Sequence, residues 1–133
     1  MFRLRHFNLS NKTLGGEILA NLTNCSELKV IGFSQNKLIG KIPVELGSLS
    51  KPLYFWVTAN NLTGRIPPFL GNLSFLEFFS VVFNNLEGNI PESIGCLKSL
   101  SFVTTGSNKL NGMVPSSLYN LSSINLVALF QQT

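Results

Sequence analysis

The apolar residues of this chain recur every 24 residues and do not follow the period of a helix. Phe79 and Val81 are two residues apart, which is the spacing of a short strand with one buried face. The equivalent pairs in the other copies of the period are Phe7/Leu9, Ile31/Phe33, Phe55/Val57, Val103/Thr105 and Val127/Leu129. Each copy therefore predicts one short strand.

Turn residues follow each strand and divide the chain into repeats. Four blocks align without insertion: NKLIGKIPVELGSLS from Asn36, NNLTGRIPPFLGNLS from Asn60, NNLEGNIPESIGCLK from Asn84 and NKLNGMVPSSLYNLS from Asn108. A degenerate copy begins at Lys12. We interpret the chain as a single array with a partial repeat at 1–27, full repeats at about 28–51, 52–75, 76–99 and 100–123, and a partial repeat at 124–133.

A repeat of this size cannot close a hydrophobic core alone, because it supplies only about seven inward apolar side chains. Stacked copies can close one, since their strands then pair in a parallel sheet and their leucines form continuous rows. The Asn, Gly and Pro residues beyond each strand turn the chain and exclude a long helix. The pattern predicts an α/β solenoid.

One asparagine follows each strand of the full repeats, at a position that the register turns inward. These residues are Asn36, Asn60, Asn84 and Asn108. A buried amide needs partners for its donors and its acceptor. Asparagines stacked about 4.8 Å apart can bond the backbone of the adjacent repeat, so we predict a structural ladder. The glycines that follow, Gly40, Gly64, Gly88 and Gly112, are expected to allow a backbone angle or a close approach that a side chain would block.

Composition and charge exclude several functions. Hydrophobic residues make up 44% of the chain and charged residues 12%, which favours a folded core. The net charge is +4, but the basic residues are scattered, so we expect no nucleic-acid partner. The densest apolar stretch, at 75–83, is too short to cross a bilayer, and no apolar run near residue 1 predicts a signal peptide. We expect no direct membrane insertion of this segment.

No group of side chains predicts catalysis. His6 is the only histidine, and we find no paired carboxylates and no nucleophile beside a base. Cys25 occupies a leucine position, and Cys96 lies three repeats away, which places them about 14 Å apart by strand spacing. That separation predicts neither a disulfide nor a metal site. We interpret the chain as a non-enzyme without cofactor or metal ion.

The solvent side of the strands carries the candidate binding residues. They form an apolar patch with small polar neighbours and almost no charge: Ser34, Tyr54, Trp56, Thr58, Phe78, Ser80, Val82, Phe102 and Thr104. An exposed aromatic cluster often marks a partner site. The alternative is that some of these rings pack against flanking residues of the same chain. We favour the functional interpretation for Trp56.

Seven asparagines stand in Asn-x-Ser/Thr tripeptides, which accept glycans in secreted proteins. They are Asn8, Asn11, Asn21, Asn24, Asn61, Asn72 and Asn120. Asn24, Asn72 and Asn120 share one phase of the repeat, so part of the number follows from the repeat itself. The density suits a secreted glycoprotein. Asn8 should face the binding surface, so we expect it to be unmodified or outside the footprint.

These repeats resemble the leucine-rich repeat family, and in particular its plant extracellular subclass, whose repeats read LxxLxxLxLxxNxLxGxIPxxLGx. The Gly-x-Ile-Pro segment separates this subclass from cytoplasmic repeats, and NLTNCSELKVI at 21–31 is similar to ectodomains of receptor-like Ser/Thr kinases. The resemblance implies a right-handed superhelix with a parallel β-sheet on its concave face and short 3₁₀ or irregular turns on its convex face.

The same resemblance implies a peptide or protein ligand, with a leucine-rich repeat co-receptor as a further candidate partner. It implies an extracellular, apoplastic position at the plasma membrane in a parent protein that also carries a membrane span and a kinase domain. This chain contains no Asp, so it holds neither the catalytic-loop Asp nor the magnesium-binding Asp of a kinase. Any kinase activity would belong to the parent.

Some features depart from the family pattern. The cysteine-stapled caps of these ectodomains are missing, Lys12 replaces a ladder asparagine, Leu19 replaces a proline, and Pro52 takes a core leucine position ahead of a strand. We expect that strand to start late. An uncapped end would expose about seven core side chains worth ~1.5–3 kcal/mol each. The chain alone is therefore expected to be marginally stable or to associate through its ends.

Three functional hypotheses remain open. The leading one is a peptide- or protein-binding module, a fragment of the ligand-sensing ectodomain of a plant receptor-like kinase in immune or developmental signalling. The second is a secreted inhibitor of microbial cell-wall hydrolases, which should show caps and a charged concave face. The third is a truncated structural fragment with no ligand.

Overall fold

The computed structural model describes residues 3–111, 114–121, 124 and 126–128. Six short strands of this part pair in parallel and in sequence order: β1 (His6–Asn8), β2 (Val30–Gly32), β3 (Tyr54–Trp56), β4 (Phe78–Ser80), β6 (Phe102–Thr104) and β8 (Leu126–Ala128). Each strand sits 24 residues after its neighbour, as in the pairing of Phe55 with Phe79. The sheet therefore grows by one strand per repeat, as the periodicity predicts.

A second line of pairing runs beside the sheet. Two short strands, β5 (Glu87–Gly88) and β7 (Lys109–Leu110), pair in parallel. Isolated bridges join Glu17 to Ile39 and Arg65 to Glu87 in earlier repeats. The segments that follow successive ladder positions, up to and just past the glycine, are thereby also bonded to one another, so adjacent repeats are held together at two places in each turn.

Each repeat carries one 3₁₀ helix after its strand. The helices are Ala20–Asn24, Val44–Ser48, Pro68–Asn72, Glu92–Cys96 and Ser116–Asn120. A proline in extended conformation precedes four of them, as at Pro67 with φ −69° and ψ 140°. Leu19 precedes the first helix and adopts a similar conformation, with φ −79° and ψ 125°. Proline is thus not required for this turn, which explains why the first repeat tolerates leucine.

The expectation that the strand after Pro52 starts late is wrong. β3 begins at Tyr54, in phase with the other strands. The N–H groups of Leu53 and Tyr54 both donate to the Lys29 carbonyl, at 2.8 and 3.0 Å. In the next repeat the equivalent residue, Leu76, uses its N–H only for a local turn bond to Leu73. Pro52 therefore loses a turn bond and no bond of the sheet, and it is buried in the core.

The four inward asparagines are buried and bond two neighbouring repeats. Asn60 is representative: its Nδ2 donates to the carbonyls of Phe33 and Val57 at 2.9 and 3.0 Å, and its Oδ1 accepts from the Leu38 N–H at 3.0 Å. Asn36, Asn84 and Asn108 make equivalent contacts. Each amide has both donors and its acceptor occupied, so it fixes the turn after the strand.

The turn after each strand uses left-handed backbone at two places. Gly40, Gly64 and Gly88 have φ between 78° and 80°, which confirms the expected role of these glycines. Gly112 lies outside the described residues. The residue immediately before each ladder asparagine is also left-handed although it is not glycine, with φ between 54° and 61° at Gln35, Ala59, Phe83 and Ser107.

The first repeat leaves part of the core open. Phe7, Leu9 and Leu14 are only half-buried, whereas the equivalent residues of the third repeat are fully buried. They line a cavity of about 170 Å³ together with Leu22 and other apolar residues. This open end is the physical basis for the expected association of the chain through its ends, which stays a prediction.

The described residues contain no cluster of side chains that could hold a metal ion. Within the same part of the chain, no helix is both long enough and apolar enough to cross a bilayer. Both cysteines are free thiols: Cys25 is half-buried against the core, and Cys96 is exposed.

Candidate functional site

Alternation along the strands separates a core side from a solvent side. The middle residues of β2, β3, β4 and β6 are buried in the core, and the first and third residues point the other way. We call this solvent side the sheet face. It comprises Asn8, Gly32, Ser34, Tyr54, Trp56, Thr58, Phe78, Ser80, Val82, Phe102 and Thr104. The parallel register aligns first with first and third with third residues across the strands.

Four rings of the sheet face form one continuous aromatic cluster, which we define as Tyr54, Trp56, Phe78 and Phe102. Trp56 meets Phe78 edge to face, with centroids 5.9 Å apart and an interplanar angle of 87°. Phe78 stacks parallel on Phe102 at 4.3 Å, and Tyr54 lies 6.1 Å from Trp56. These separations are those of attractive ring pairs. The cluster spans three strands, and all four rings are half-buried.

Both alternatives that the sequence left open, packing within the chain and exposure to a partner, apply to this cluster. The rings do pack against one another, because each of them contacts at least one other ring of the cluster. They nevertheless keep part of their surface in solvent. Mutual packing holds the exposed ring surface in a fixed shape, which is a favourable property for a binding surface.

A row of hydroxyl groups runs beside the cluster. Thr104 Oγ1 donates to Ser80 Oγ at 2.8 Å, and Ser80 Oγ shares a second hydrogen bond of 2.7 Å with Thr58 Oγ1. Ser80 and Thr104 are only 7% and 8% exposed, although the sequence placed them on the solvent side. Their short side chains lie below the level of the neighbouring rings. They are therefore better placed to fix the strands than to contact a partner.

Gly32 is a feature of the sheet face that sequence reasoning missed. A Cβ built at this residue would stand 2.8 Å from Cε2 of Trp56 and 2.9 Å from Oδ1 of Asn8. The indole therefore covers the backbone of the adjacent strand. The available signal was the third strand position, where glycine directly precedes tryptophan in the row Asn8, Gly32, Trp56, Ser80 and Thr104.

The remaining predicted residues flank the cluster. Ser34 and Val82 are half-buried just beyond the ends of their strands. The N–H of Ser34 donates to Ser10 Oγ at 3.1 Å, which ties its backbone to the first repeat. Phe83, which was not among the candidates, is 60% exposed in the turn after β4.

The cluster region is electrically neutral. The first, third and fifth positions of the three strands that carry it are Tyr, Trp, Thr; Phe, Ser, Val; and Phe, Thr, Gly. The salt bridge between described residues joins Lys51 Nζ to Glu27 Oε1 at 2.9 Å and involves none of these positions. That hydrogen bond, with help from the Lys51 charge, lowers the pKa of the Glu27 carboxyl. These nine positions carry rings, hydroxyls, one valine and one glycine, but no charged group.

Two open grooves lie away from the sheet face. One, of about 630 Å³, runs between Glu17 and Lys41, and the other, of about 480 Å³, runs between Lys41 and Arg65. Both separate successive Gly-x-Ile-Pro segments, where Glu17, Lys41 and Arg65 each lie across the glycine of the next repeat. Because they recur with the repeat, the grooves are a geometric result of stacking. We therefore place the candidate site on the aromatic cluster.

The seven sequon asparagines are all exposed. Asn21, Asn24, Asn72 and Asn120 lie in the 3₁₀ helices, Asn11 lies in a turn, and Asn61 follows the bend at 59–60. Asn8 stands at the end of β1 on the sheet face, where its Oδ1 accepts from both the N–H and the Oγ of Ser10. A glycan on Asn8 would therefore stand beside Gly32 and Trp56.

Comparison with solved structures found receptors and receptor ectodomains among the similar chains. A TDR receptor aligns with 98% of this chain at 36% identity and a TM-score of 0.95. The plant peptide hormone receptor RGFR1, solved in complex with RGF2, aligns with 91% at 33% identity and a TM-score of 0.88. The BIR2 ectodomain from Arabidopsis thaliana aligns with 86% at 32% identity and a TM-score of 0.82.

The chain spans only part of these proteins. It covers 22% of the TDR receptor, 19% of RGFR1 and 60% of the BIR2 ectodomain. No protein-family model matches the sequence, and no curated protein matches it either.

Proposed function

Since the chain belongs to the plant extracellular leucine-rich repeat family of receptor-kinase ectodomains, we propose that it is a peptide-binding segment of such an ectodomain. The chain is not an enzyme, because the solved chains that it resembles are ligand-binding ectodomains and not catalytic domains. Its function therefore has to reside in a surface. The aromatic cluster on the neutral sheet face is the observation that carries the proposal.

The physical properties of the cluster suit a partner that binds as an extended peptide chain. Half-buried rings supply a large contact area and lose little conformational freedom on binding, because they already pack against one another. Aromatic residues are enriched among the side chains that dominate binding energy. A similar structure, that of RGFR1 with RGF2, is described as a peptide hormone receptor. We propose a peptide or protein ligand here too, with a leucine-rich repeat co-receptor as a further partner.

In this proposal the array has the same overall shape as other leucine-rich repeat ectodomains. The repeats form a right-handed superhelix, the six-stranded sheet lines its concave face, and the 3₁₀ helices lie on its convex face. Glycans on the sequons of the 3₁₀ helices would cover the convex side and leave the sheet face free. The parent protein would hold this segment on the extracellular side of the plasma membrane and would act in immune or developmental signalling.

Selection from a random peptide library displayed on phage tests the proposal. The folded chain is immobilised, and enriched peptides are synthesised and titrated against the wild type, Trp56→Ala and Val44→Ala. Val44 is a matched control, because it is apolar, 65% exposed and located in a 3₁₀ helix. We expect Trp56→Ala to weaken binding by roughly tenfold or more, and Val44→Ala to leave it unchanged. Equal affinity of the three proteins would overturn the proposal.

The two other hypotheses differ in what they require. A hydrolase inhibitor needs a charged face to meet its enzyme, and the neutral cluster argues against it. A structural fragment without ligand is favoured only by the open core at Phe7, Leu9 and Leu14. It predicts that the library yields no peptide specific for the chain.

A further inference from the structure

Gly32 has no side chain, so it leaves a gap among the third strand residues of the sheet face, between Asn8 on β1 and Trp56 on β3. Gly32 is nevertheless buried, so other atoms cover its backbone. Trp56 supplies them: its Nε1 and Cε2 occupy the space in which a Cβ of residue 32 would stand. Asn8 Oδ1 closes the other side of that space, 2.9 Å from the Cβ position. The indole ring therefore lies directly on Gly32, and we call this residue the seat of the ring.

The backbone does not require glycine at this position. Gly32 lies within β2 and is not among the glycines with left-handed φ, unlike Gly40, Gly64 and Gly88. An alanine could adopt the same backbone without strain. What excludes it is overlap with two side-chain groups, the Trp56 indole and the Asn8 amide. Both can swing away, so a substitution should move the ring and leave the strand in place.

The seat determines how the aromatic cluster is presented. With the ring lying over Gly32, its other neighbours are Tyr54 at 6.1 Å and the edge-on Phe78 at 5.9 Å. Phe78 in turn stacks on Phe102. The position of Trp56 therefore defines one end of a wall of rings that continues over two further strands. Displacement of the indole from Gly32 would break the first contact of this wall.

We infer that Gly32 is a positioning residue that sets the specificity of the sheet face: by seating the Trp56 indole it fixes a neutral wall of rings that takes an uncharged segment bearing an aromatic side chain or proline. The inference rests on the proposed peptide-binding function. A charged side chain against this wall would lose water without gaining a partner. An aromatic or prolyl ring gains flat apolar contact there, because ring pairs add attraction beyond the area that they bury.

Intrinsic fluorescence tests the seat without any ligand. Trp56 is the only tryptophan of the chain, so its emission reports on this ring alone. We expect Gly32→Ala to shift the emission to longer wavelength and to increase quenching by acrylamide, because the indole is lifted into water. Gly15→Ala is the matched control, since a Cβ there meets nothing within 4 Å. Its spectrum should match the wild type. Wild-type emission and quenching from Gly32→Ala would overturn the seat.

Peptide binding tests specificity. Peptides enriched on the wild type from the phage library should carry Phe, Tyr, Trp or Pro in a common core that lacks Asp, Glu, Lys and Arg. A common charged core would refute the ligand class. Gly32→Ala should weaken binding of an enriched peptide by roughly tenfold, with the far-UV circular dichroism and thermal midpoint retained. In a Trp56→Leu background the same change should have no further effect. An equal loss in both backgrounds would refute action through Trp56.

The two tests separate the inference from the proposed function. If the library yields no specific peptide while Gly32→Ala still changes the emission, the seat stands, and the peptide-binding function and the specificity drawn from it fall. If peptides bind through Trp56 but Gly32→Ala changes neither emission nor affinity, the function stands and the role of Gly32 falls.

Discussion

Replacement of Asn84 by alanine removes an amide from the middle of the ladder. Asn84 is 7% exposed, and its Nδ2 donates to the carbonyls of Val57 and Val81 at 2.9 and 3.0 Å. A longer bond of 3.4 Å reaches the Val82 carbonyl. Its Oδ1 accepts from the N–H of Leu62 at 3.1 Å. The change therefore affects both the repeat that contains Asn84 and the repeat before it.

The loss of stability in Asn84→Ala depends on which hydrogen bonds the former partners of Asn84 retain. The Val57 and Val81 carbonyls retain a second ladder asparagine, Asn60 and Asn108 respectively, so each lost bond costs about 1 kcal/mol. The N–H of Leu62, a residue with no exposed surface, keeps no partner, which costs about 1–3 kcal/mol. Together these losses amount to about 3–5 kcal/mol. That is a large share of the ~5–15 kcal/mol by which typical domains are stable.

Urea denaturation measures this loss. Unfolding is followed by circular dichroism and by Trp56 fluorescence, and the midpoints are compared at a common denaturant slope. Asn89→Ala is the control, since Asn89 is exposed and stands in the same repeat, and we expect it to change the free energy of unfolding by less than about 0.5 kcal/mol. A loss for Asn84→Ala no larger than that of the control would refute the role of the ladder.

Two further predictions concern other positions. Thr105 Oγ1 is buried without a hydrogen-bond partner, and the equivalent residues Val57 and Val81 are apolar. Thr105→Val should therefore raise the free energy of unfolding by about 1–2 kcal/mol in urea denaturation. A lower stability of the variant would contradict this reasoning. The hydrogen bond from Lys51 lowers the pKa of Glu27, so this pair stabilises the fold above the ordinary Glu pKa, and that contribution is lost as the pH falls through the lowered value. Titration of the Glu27 carboxyl by NMR should show its pKa rising in Lys51→Ala, and an unchanged titration would count against the ion pair.

The repeat unit could be predicted from the sequence because several requirements recur together at fixed offsets. A strand pair such as Phe55/Val57, an inward Asn60 and a left-handed Gly64 all recur after 24 residues. Chance does not produce that combination four times in phase. The strands, the sheet order and the positions of the ladder asparagines follow from the period alone.

Other features depend on contacts that no repeat pattern encodes. Left-handed backbone at Gln35, Ala59, Phe83 and Ser107 has no signal in residue type, since none of them favours that conformation strongly. It is imposed by the turn that the following asparagine fixes. Pro52 misled the strand prediction because the pattern does not show which amides the sheet uses.

The sheet face was predictable as a set of residues but not as a surface. Alternation gave the positions of Trp56 and Phe78, since first and third strand residues face away from the core. Alternation predicted neither the burial of the Ser80 and Thr104 side chains nor the contact by which the Trp56 indole covers Gly32. Both depend on side-chain sizes in neighbouring strands, and thus on residues 24 positions apart.

Amide chemical-shift mapping tests most directly whether the aromatic cluster is the binding surface. The folded chain is labelled with ¹⁵N and titrated with a peptide enriched from the phage library. The proposal predicts that the largest changes fall on β3, β4 and β6, around Tyr54, Trp56, Phe78 and Phe102, together with the indole N–H of Trp56. Changes confined to the grooves at Lys41 and Arg65, or to the 3₁₀ helices, would contradict it.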